Sequence, residues 1–344
     1  MTTVPRLDPE LKTSDSMVLP AIRRLSDNHF CAAFELMKIL PARFIMDVAE
    51  KNGDLGPNIT VVESSSGTFA LGLAILCAER GYKLVIVGDN AIDAGLKNRL
   101  TDLGVHIDLV AHTDAPGGIQ KARLDRLQTY LDGKEKYFWP RQYENPGNAQ
   151  SYYLAAEKIS ETIGAVDYLV ATVGSGGSSQ GLTRALRVLN PRMKLIGVDS
   201  LKSTIFGRKD DKRILRGLGS SILPQNVAYE LFDQVHFLDC KEGFYAMRQL
   251  HKKHQMFMGP TSGAAHLVGE WLTQEHQGAK ILSVFPDSGN RYINTAYDDD
   301  WLKDNNALTQ AAGKPFELKQ PSDTAESWCY YNWNKQSLKQ AIGR

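Results

Sequence analysis

Several short stretches of this chain place glycines and hydroxyl side chains where a strand gives way to a helix. The most specific is Gly174-Ser175-Gly176-Gly177-Ser178. Its three glycines let the backbone turn sharply and approach a ligand with no Cβ in the way. The amides that open the following helix, at its positive dipole end, favour an anion, most often a phosphate. Ser175 and Ser178 add hydroxyl donors, and the plainer alternative is a tight turn that holds nothing. The spacing is not the G-x-G-x-x-G of dinucleotide folds, and no Lys-Ser/Thr pair follows as in a P-loop, so the loop reads as a phosphate cradle outside the NAD and ATP classes. A second stretch, Ser64-Ser65-Ser66-Gly67-Thr68, offers the donors a carboxylate needs, and its alternative is simply a well-capped helix. Lys38, ahead of Pro41, is ordinarily a solvated cation; if desolvated, its amine is of the kind that attacks a carbonyl.

These loops depend on the elements around them. Apolar runs over 59–63, 83–87, 106–110, 137–139, 168–173, 194–198, 235–238 and 281–285 predict strands, with shorter ones over 18–22 and 30–36. Helical spacing of apolar residues predicts helices from Pro41 through Ala49 and over 69–80, 91–103, 117–131, 151–163, 180–189, 243–254 and 263–275. Alternating strand and helix imply parallel sheets covered by helices, with ligands at the carboxyl ends of the strands, where each of the loops falls. At 344 residues the expectation is two open parallel-sheet α/β domains sharing a cleft: a smaller one over 35–147, a larger one over 12–34 plus 148–310, and an extension over 311–344 rich in aromatics. Residues 1 to about 16 read as a mobile arm.

Forty basic and thirty-nine acidic residues, a net charge of +1, give no electrostatic case for nucleic acid or an acidic membrane surface. No apolar run reaches membrane-spanning length, and residues 1–10 lack the pattern of a signal peptide. Cys31, Cys77, Cys240 and Cys329 are scattered, without CxxC spacing or a histidine cluster. That argues against a metal site and a disulfide framework, and fits a reducing cytoplasm.

Four motifs occur in order: Glu63-Ser-Ser-Ser-Gly-Thr68, the 174–178 loop, Gly259-Pro-Thr-Ser-Gly-Ala-Ala265 and Pro286-Asp-Ser-Gly-Asn-Arg-Tyr292. Together they resemble the cysteine synthase family of fold-type II pyridoxal-phosphate enzymes, over roughly Leu19 to Ile293. Within it, Met37-Lys38-x-x-Pro41-Ala42, Gly117-Gly118 and Ser203-Thr-Ile-Phe-Gly207 are most similar to the O-phosphoserine-dependent branch that leads to 2,3-diaminopropionate. The resemblance implies that Lys38 bonds the cofactor and moves a proton at the substrate Cα. It implies that Gly174, Ser175, Gly176, Gly177 and Ser178 hold the cofactor phosphate, that Thr68 faces its ring, and that Ser288 meets the pyridine nitrogen. Ser65, Ser66, Gly67, Thr68 and Gln142 would bind the substrate carboxylate, and Arg216 a substrate phosphate, guanidinium being suited to bidentate contact. The chain departs from the family pattern where Leu36 runs directly into Met37-Lys38, and where Thr68 replaces an asparagine.

The implied reaction is β-replacement on an activated L-serine through an aminoacrylate, with a small amino-acid substrate, a small nucleophile and a homodimeric protein. β-Elimination on the same scaffold, and a cofactor-free relative acting as a protein partner, are the alternatives.

Overall fold

In the computed structural model, residues 12–111 and 118–343 are described. Residues 1–11 of the expected arm, and Gly117, lie outside that range. Among the described residues the strands are β1 (Ala21–Arg24), β2 (His29–Ala33), β3 (Thr60–Ser64), β4 (Leu84–Gly88), β5 (His106–Leu109) and β6 (Tyr137–Phe138), then β7 (Tyr168–Thr172), β8 (Lys194–Ser200), β9 (Phe232–Leu238), β10 (Ile281–Phe285), β11 (Phe316–Glu317) and β12 (Cys329–Tyr331). They form two sheets. One has four strands in the order β5-β4-β3-β6, and the other eight in the order β1-β2-β10-β7-β8-β9-β12-β11.

All pairings in the smaller sheet are parallel, as is the run from β2 through β10, β7 and β8 to β9 in the larger. Strands β4, β7 and β10 are buried along their whole length, as continuous apolar strands in a sheet covered on both faces must be. Except from β8 to β9, each crossover is helical, and loops that leave carboxyl ends meet between the sheets. The helix Ile39–Asn52 follows β2 and carries Pro41 in its first turn, where a missing N–H costs little; it stops at Gly53 with φ +80°. The helix predicted from residue 91 begins at Ala94, because the side chain of Asp93 caps it by accepting from Leu96 N.

One expectation changes. Residues 12–16 are not a free arm: Ser14 is buried, and its backbone N and Oγ donate to Glu79 at 2.9 and 2.6 Å. The aromatic C-terminal stretch is docked on its own domain. Strand β12 pairs antiparallel with β9, Tyr330 opposite His236, and β11 pairs with β12. Trp328 and Trp333 are buried; burying large aromatic rings outweighs the polarity of the residues around them. Among the described residues the four cysteines are free, no cluster of three metal-ligating side chains occurs, and no helix is long and apolar enough to cross a membrane.

Candidate active site

Loops from the ends of β2, β3, β6, β7, β8 and β10 enclose a cavity of about 230 Å³ between the two sheets. Lys38 heads the helix Ile39–Asn52. It can sit close to the helix Thr68–Arg80 because that helix carries Gly72, where a Cβ would lie 3.1 Å from the Lys38 carbonyl oxygen. The Lys38 amine donates to Ser175 Oγ at 2.9 Å, and burial lowers its pKa to about 8. Removal from water disfavours the charged form, with no carboxylate among the described residues bonded to it to restore that form.

Ser175 also accepts from Asn148 Nδ2 at 3.1 Å, and the same amide donates to the Gln142 carbonyl at 2.7 Å. Asn226 Nδ2 donates to that carbonyl at 3.2 Å. A continuous polar chain thus joins the lysine, the glycine loop and the Gln142 turn, with Asn148 Oδ1 left buried and without a partner among the described residues. Gln142 itself donates from Nε2 to Ser64 O at 2.9 Å, and its backbone N donates to Glu63 Oε2 at 3.2 Å. Burial raises the Glu63 carboxyl to about 7, opposed by bonds from Trp139 Nε1, Ser64 N and Gln142 N.

Of the glycine loop, Gly174, Ser175 and Ser178 line the cavity. Gly176 and Gly177 also have a steric requirement of their own. Gly176 has φ +87°, and a Cβ there would lie 2.6 Å from the Asn226 backbone; one on Gly177 would lie 2.0 Å from Asn148 Oδ1. The loop is glycine-rich because two asparagines of the polar chain pack directly against it.

Ser65, Ser66, Gly67 and Thr68 line the opposite wall. Ser65 Oγ accepts from Ala70 N at 3.2 Å and so caps the helix, while Ser66 Oγ accepts from Arg123 Nη1 and Asp89 N. Arg123 is buried and paired with Asp89 at 3.1 Å. Arg291 reaches across from the larger sheet to Asp93 at 2.8 Å and donates to Ser66 O at 3.4 Å. Arg213 is paired with Asp210 at 2.7 Å. Arg216, by contrast, makes no ion pair with another described residue while lining the cavity; burial lowers its pKa, Asp89 raises it, and Arg291, Arg213 and Arg123 lower it.

Ser288 follows directly on Asp287, which lines the cavity; its backbone N donates to Glu35 O at 3.1 Å, and it forms a bridge with Met258. Asp287 accepts from Tyr292 OH at 2.7 Å, keeps Oδ1 without a partner, and is raised by burial to about 6. Thr261, in the first turn of the helix Pro260–Glu275, is the hydroxyl that lines the cavity on this side. The Gly259–Ala265 motif held that signal, a hydroxyl opening a helix after glycine, as in 64–68. Arg123 had none: it is one basic residue in a polar helix.

These residues fit pyridoxal phosphate. A lysine of lowered pKa touches a serine of a glycine loop, the helix Gly177–Leu186 opens its amides there, and the partnerless oxygens of Asn148 and Asp287 offer acceptors nearby.

The comparisons with known proteins agree. The family described as pyridoxal-phosphate dependent enzyme matches residues 37–287. The chain is 34% identical over 299 residues to the N-(2-amino-2-carboxyethyl)-L-glutamate synthase of Cupriavidus metallidurans, covering 83% of this chain and 88% of that one. In fold it is similar to the cysteine synthase of Entamoeba histolytica, with a TM-score of 0.77, 22% identity and 91% and 95% of the two chains covered. It is likewise similar to the O-acetylserine dependent cystathionine β-synthase of Helicobacter pylori, with a TM-score of 0.76, 22% identity and 82% and 96% covered. Sequence match, fold and cavity together place the chain in the pyridoxal-phosphate-dependent enzyme family, among its cysteine synthase-like, β-substituting members.

Proposed function

We propose that this enzyme replaces the phosphate of O-phospho-L-serine with an amino-acid amine, glutamate being the first nucleophile to try, and so makes a precursor of 2,3-diaminopropionate. The observation that carries the donor is Arg216, a cavity-lining guanidinium with no ion-pair partner among the described residues, where Arg123, Arg213 and Arg291 each have one. The likeness to a synthase named for a glutamate-containing product supports the nucleophile.

Bound pyridoxal phosphate supplies the electron sink for chemistry at Cα. Lys38, Thr68, Ser175, Ser178 and Thr261 are the side chains that would hold it. With a pKa near 8, the Lys38 amine is partly neutral at physiological pH and able to take and return a proton at Cα. Ser65 to Thr68 and the fixed Gln142 would receive the substrate carboxylate. Arg216 would bind the phosphate in the ground state and follow its charge as the Cβ–O bond breaks. Gln120 and the Arg291–Asp93 pair tie the two sheets together around the cavity and limit water.

We read the assembly as a homodimer of a reducing compartment such as the cytoplasm. Leu19, Tyr153 and Leu154 are exposed and share a concave apolar face with Phe44, which a second copy would cover. Mass spectrometry of products from O-phosphoserine or O-acetylserine, each with and without glutamate, tests the reading. A glutamate adduct from phosphoserine is expected; pyruvate and ammonia alone would make the enzyme a β-eliminating lyase.

A further inference from the structure

The connection from β8 to β9 is unusually long, and residues 201–228 contain no strand or α-helix. Long irregular connections inside compact domains are commonly functional lids or binding loops. Its middle, residues 213–221, forms one wall of the cavity and carries Arg213 and Arg216. A wall without its own ladder of hydrogen bonds must be held from elsewhere.

The C-terminal segment holds its base. Arg208 donates from Nη1 to Pro321 O at 2.7 Å, from Nη2 to Asp323 O at 3.1 Å and from Nε to Leu201 O at 3.0 Å. Phe206 is fully buried with its ring 5.0 Å from that of Trp333, which also lies 5.9 Å from Tyr229. Gly207 has φ +82° and no room for a Cβ, which would come within 2.3 Å of Ile342. The base then grips the wall. Thr204 N donates to Ser220 O at 2.9 Å, Ser220 N to Ser203 Oγ at 3.1 Å, and Arg213 to Lys202 O and to Ser221 Oγ. Finally Ser221 N donates to Gln120 Oε1 at 2.5 Å, linking the wall to the smaller sheet.

We propose that the segment from Phe316 to Ile342, which lies beyond the family match, is a built-in clamp that positions the 213–221 wall, with Arg208 and Trp333 as its positioning residues. The alternative is that the segment only covers the edge of β9, as native sheets require of exposed edges. The proposal does not depend on which activated serine is the donor.

The test compares holoenzymes of wild type, Arg208→Ala, Arg208→Lys and Asn332→Ala. Asn332 accepts from Gln234 Nε2 at 2.9 Å and so secures the edge pairing without touching the base of the wall. Arg208→Ala is expected to raise the donor KM roughly tenfold while kcat changes by less than about threefold, since misplacing a binding group by an ångström is costly. Amide exchange at 217–221 is expected to quicken while that of 177–186 holds. Arg208→Lys, which retains one donor, is expected to fall between, and Asn332→Ala to match wild type in both readouts. A lowered Tm in Arg208→Ala with unchanged KM and unchanged exchange at 217–221 would overturn the clamp. So would equal changes in Arg208→Ala and Asn332→Ala. If wild type turns over no serine donor, the proposed function fails, and the exchange data alone decide on the clamp.

Discussion

The Lys38 amine donates to Ser175 Oγ across 2.9 Å, although the two residues are 137 positions apart in the chain. One opens a helix after β2, the other follows β7, and the parallel pairing of both strands with β10 brings them together. That contact joins the reactive amine to the loop that would carry the cofactor phosphate, and its state should govern cofactor loading.

Because burial lowers the Lys38 amine to about 8, the neutral, nucleophilic form becomes dominant only as pH rises through that value. The rate at which apoenzyme develops its visible absorbance with added pyridoxal phosphate is therefore expected to climb between about pH 7 and 9 and then level. Lys38→Ala should show no covalent absorbance band at any pH. A rate that kept climbing well beyond pH 9 would mean that the amine retains its ordinary pKa.

Arg216→Ala is expected to raise the KM for O-phosphoserine by roughly 10- to 100-fold, the loss of a charge-assisted, bidentate contact, while KM for O-acetylserine stays within about threefold. Steady-state kinetics with both donors checks it. Equal effects on the two would make Arg216 a general structural residue.

Thr261→Val should shift the absorbance of the bound cofactor and lower kcat, since Thr261 lines the cavity. Ser288→Ala should likewise shift the absorbance band, as expected of a hydroxyl that meets the pyridine nitrogen. An unchanged spectrum in either variant would remove that residue from the cofactor's surroundings.

Glu63 contributes a stability change with pH. Its carboxyl ordinarily titrates near 4.5 and is raised by burial to about 7, so the folded protein binds a proton more tightly than the unfolded chain. The stabilisation is complete below 4.5, falls as pH rises, and is gone above about 7, a change on the order of a few kcal/mol. Urea denaturation at pH 5 and 8 is expected to show a larger loss in wild type than in Glu63→Gln.

Gly177→Ala should destabilise by roughly 1–3 kcal/mol, the usual cost of overpacking. Its Cβ would meet Asn148 Oδ1 at 2.0 Å. Asn148 cannot easily move away, since it bonds both Gln142 O and Ser175 Oγ. Denaturant melts measure the loss, and weaker retention of pyridoxal phosphate on dialysis should accompany it.

Much of this protein was legible from sequence because its signals are local. The apolar runs that become β4, β7 and β10 are continuous, so a strand is the only short element that buries them, and glycine with hydroxyls after such a run marks a loop at a carboxyl end. Ser65 to Thr68, Gly174, Ser175 and Ser178 were named from such signals, and Lys38, Gln142 and Arg216 from the family resemblance; all line one cavity. What the sequence could not determine depends on direction and on distant partners. The bridges of Leu36 to Asp287 and Met258 to Ser288 join that motif to distant segments, which no residue of the motif reveals by itself. That Gly176 and Gly177 must also leave room for Asn226 and Asn148 is seen only in the fold. Arg123 acquires meaning only when Asp89 and Ser66 meet it. The aromatic C-terminal residues, unremarked by any motif, become part of the larger sheet because β9 would otherwise leave its backbone groups unpaired, a need that exists only once the sheet has formed.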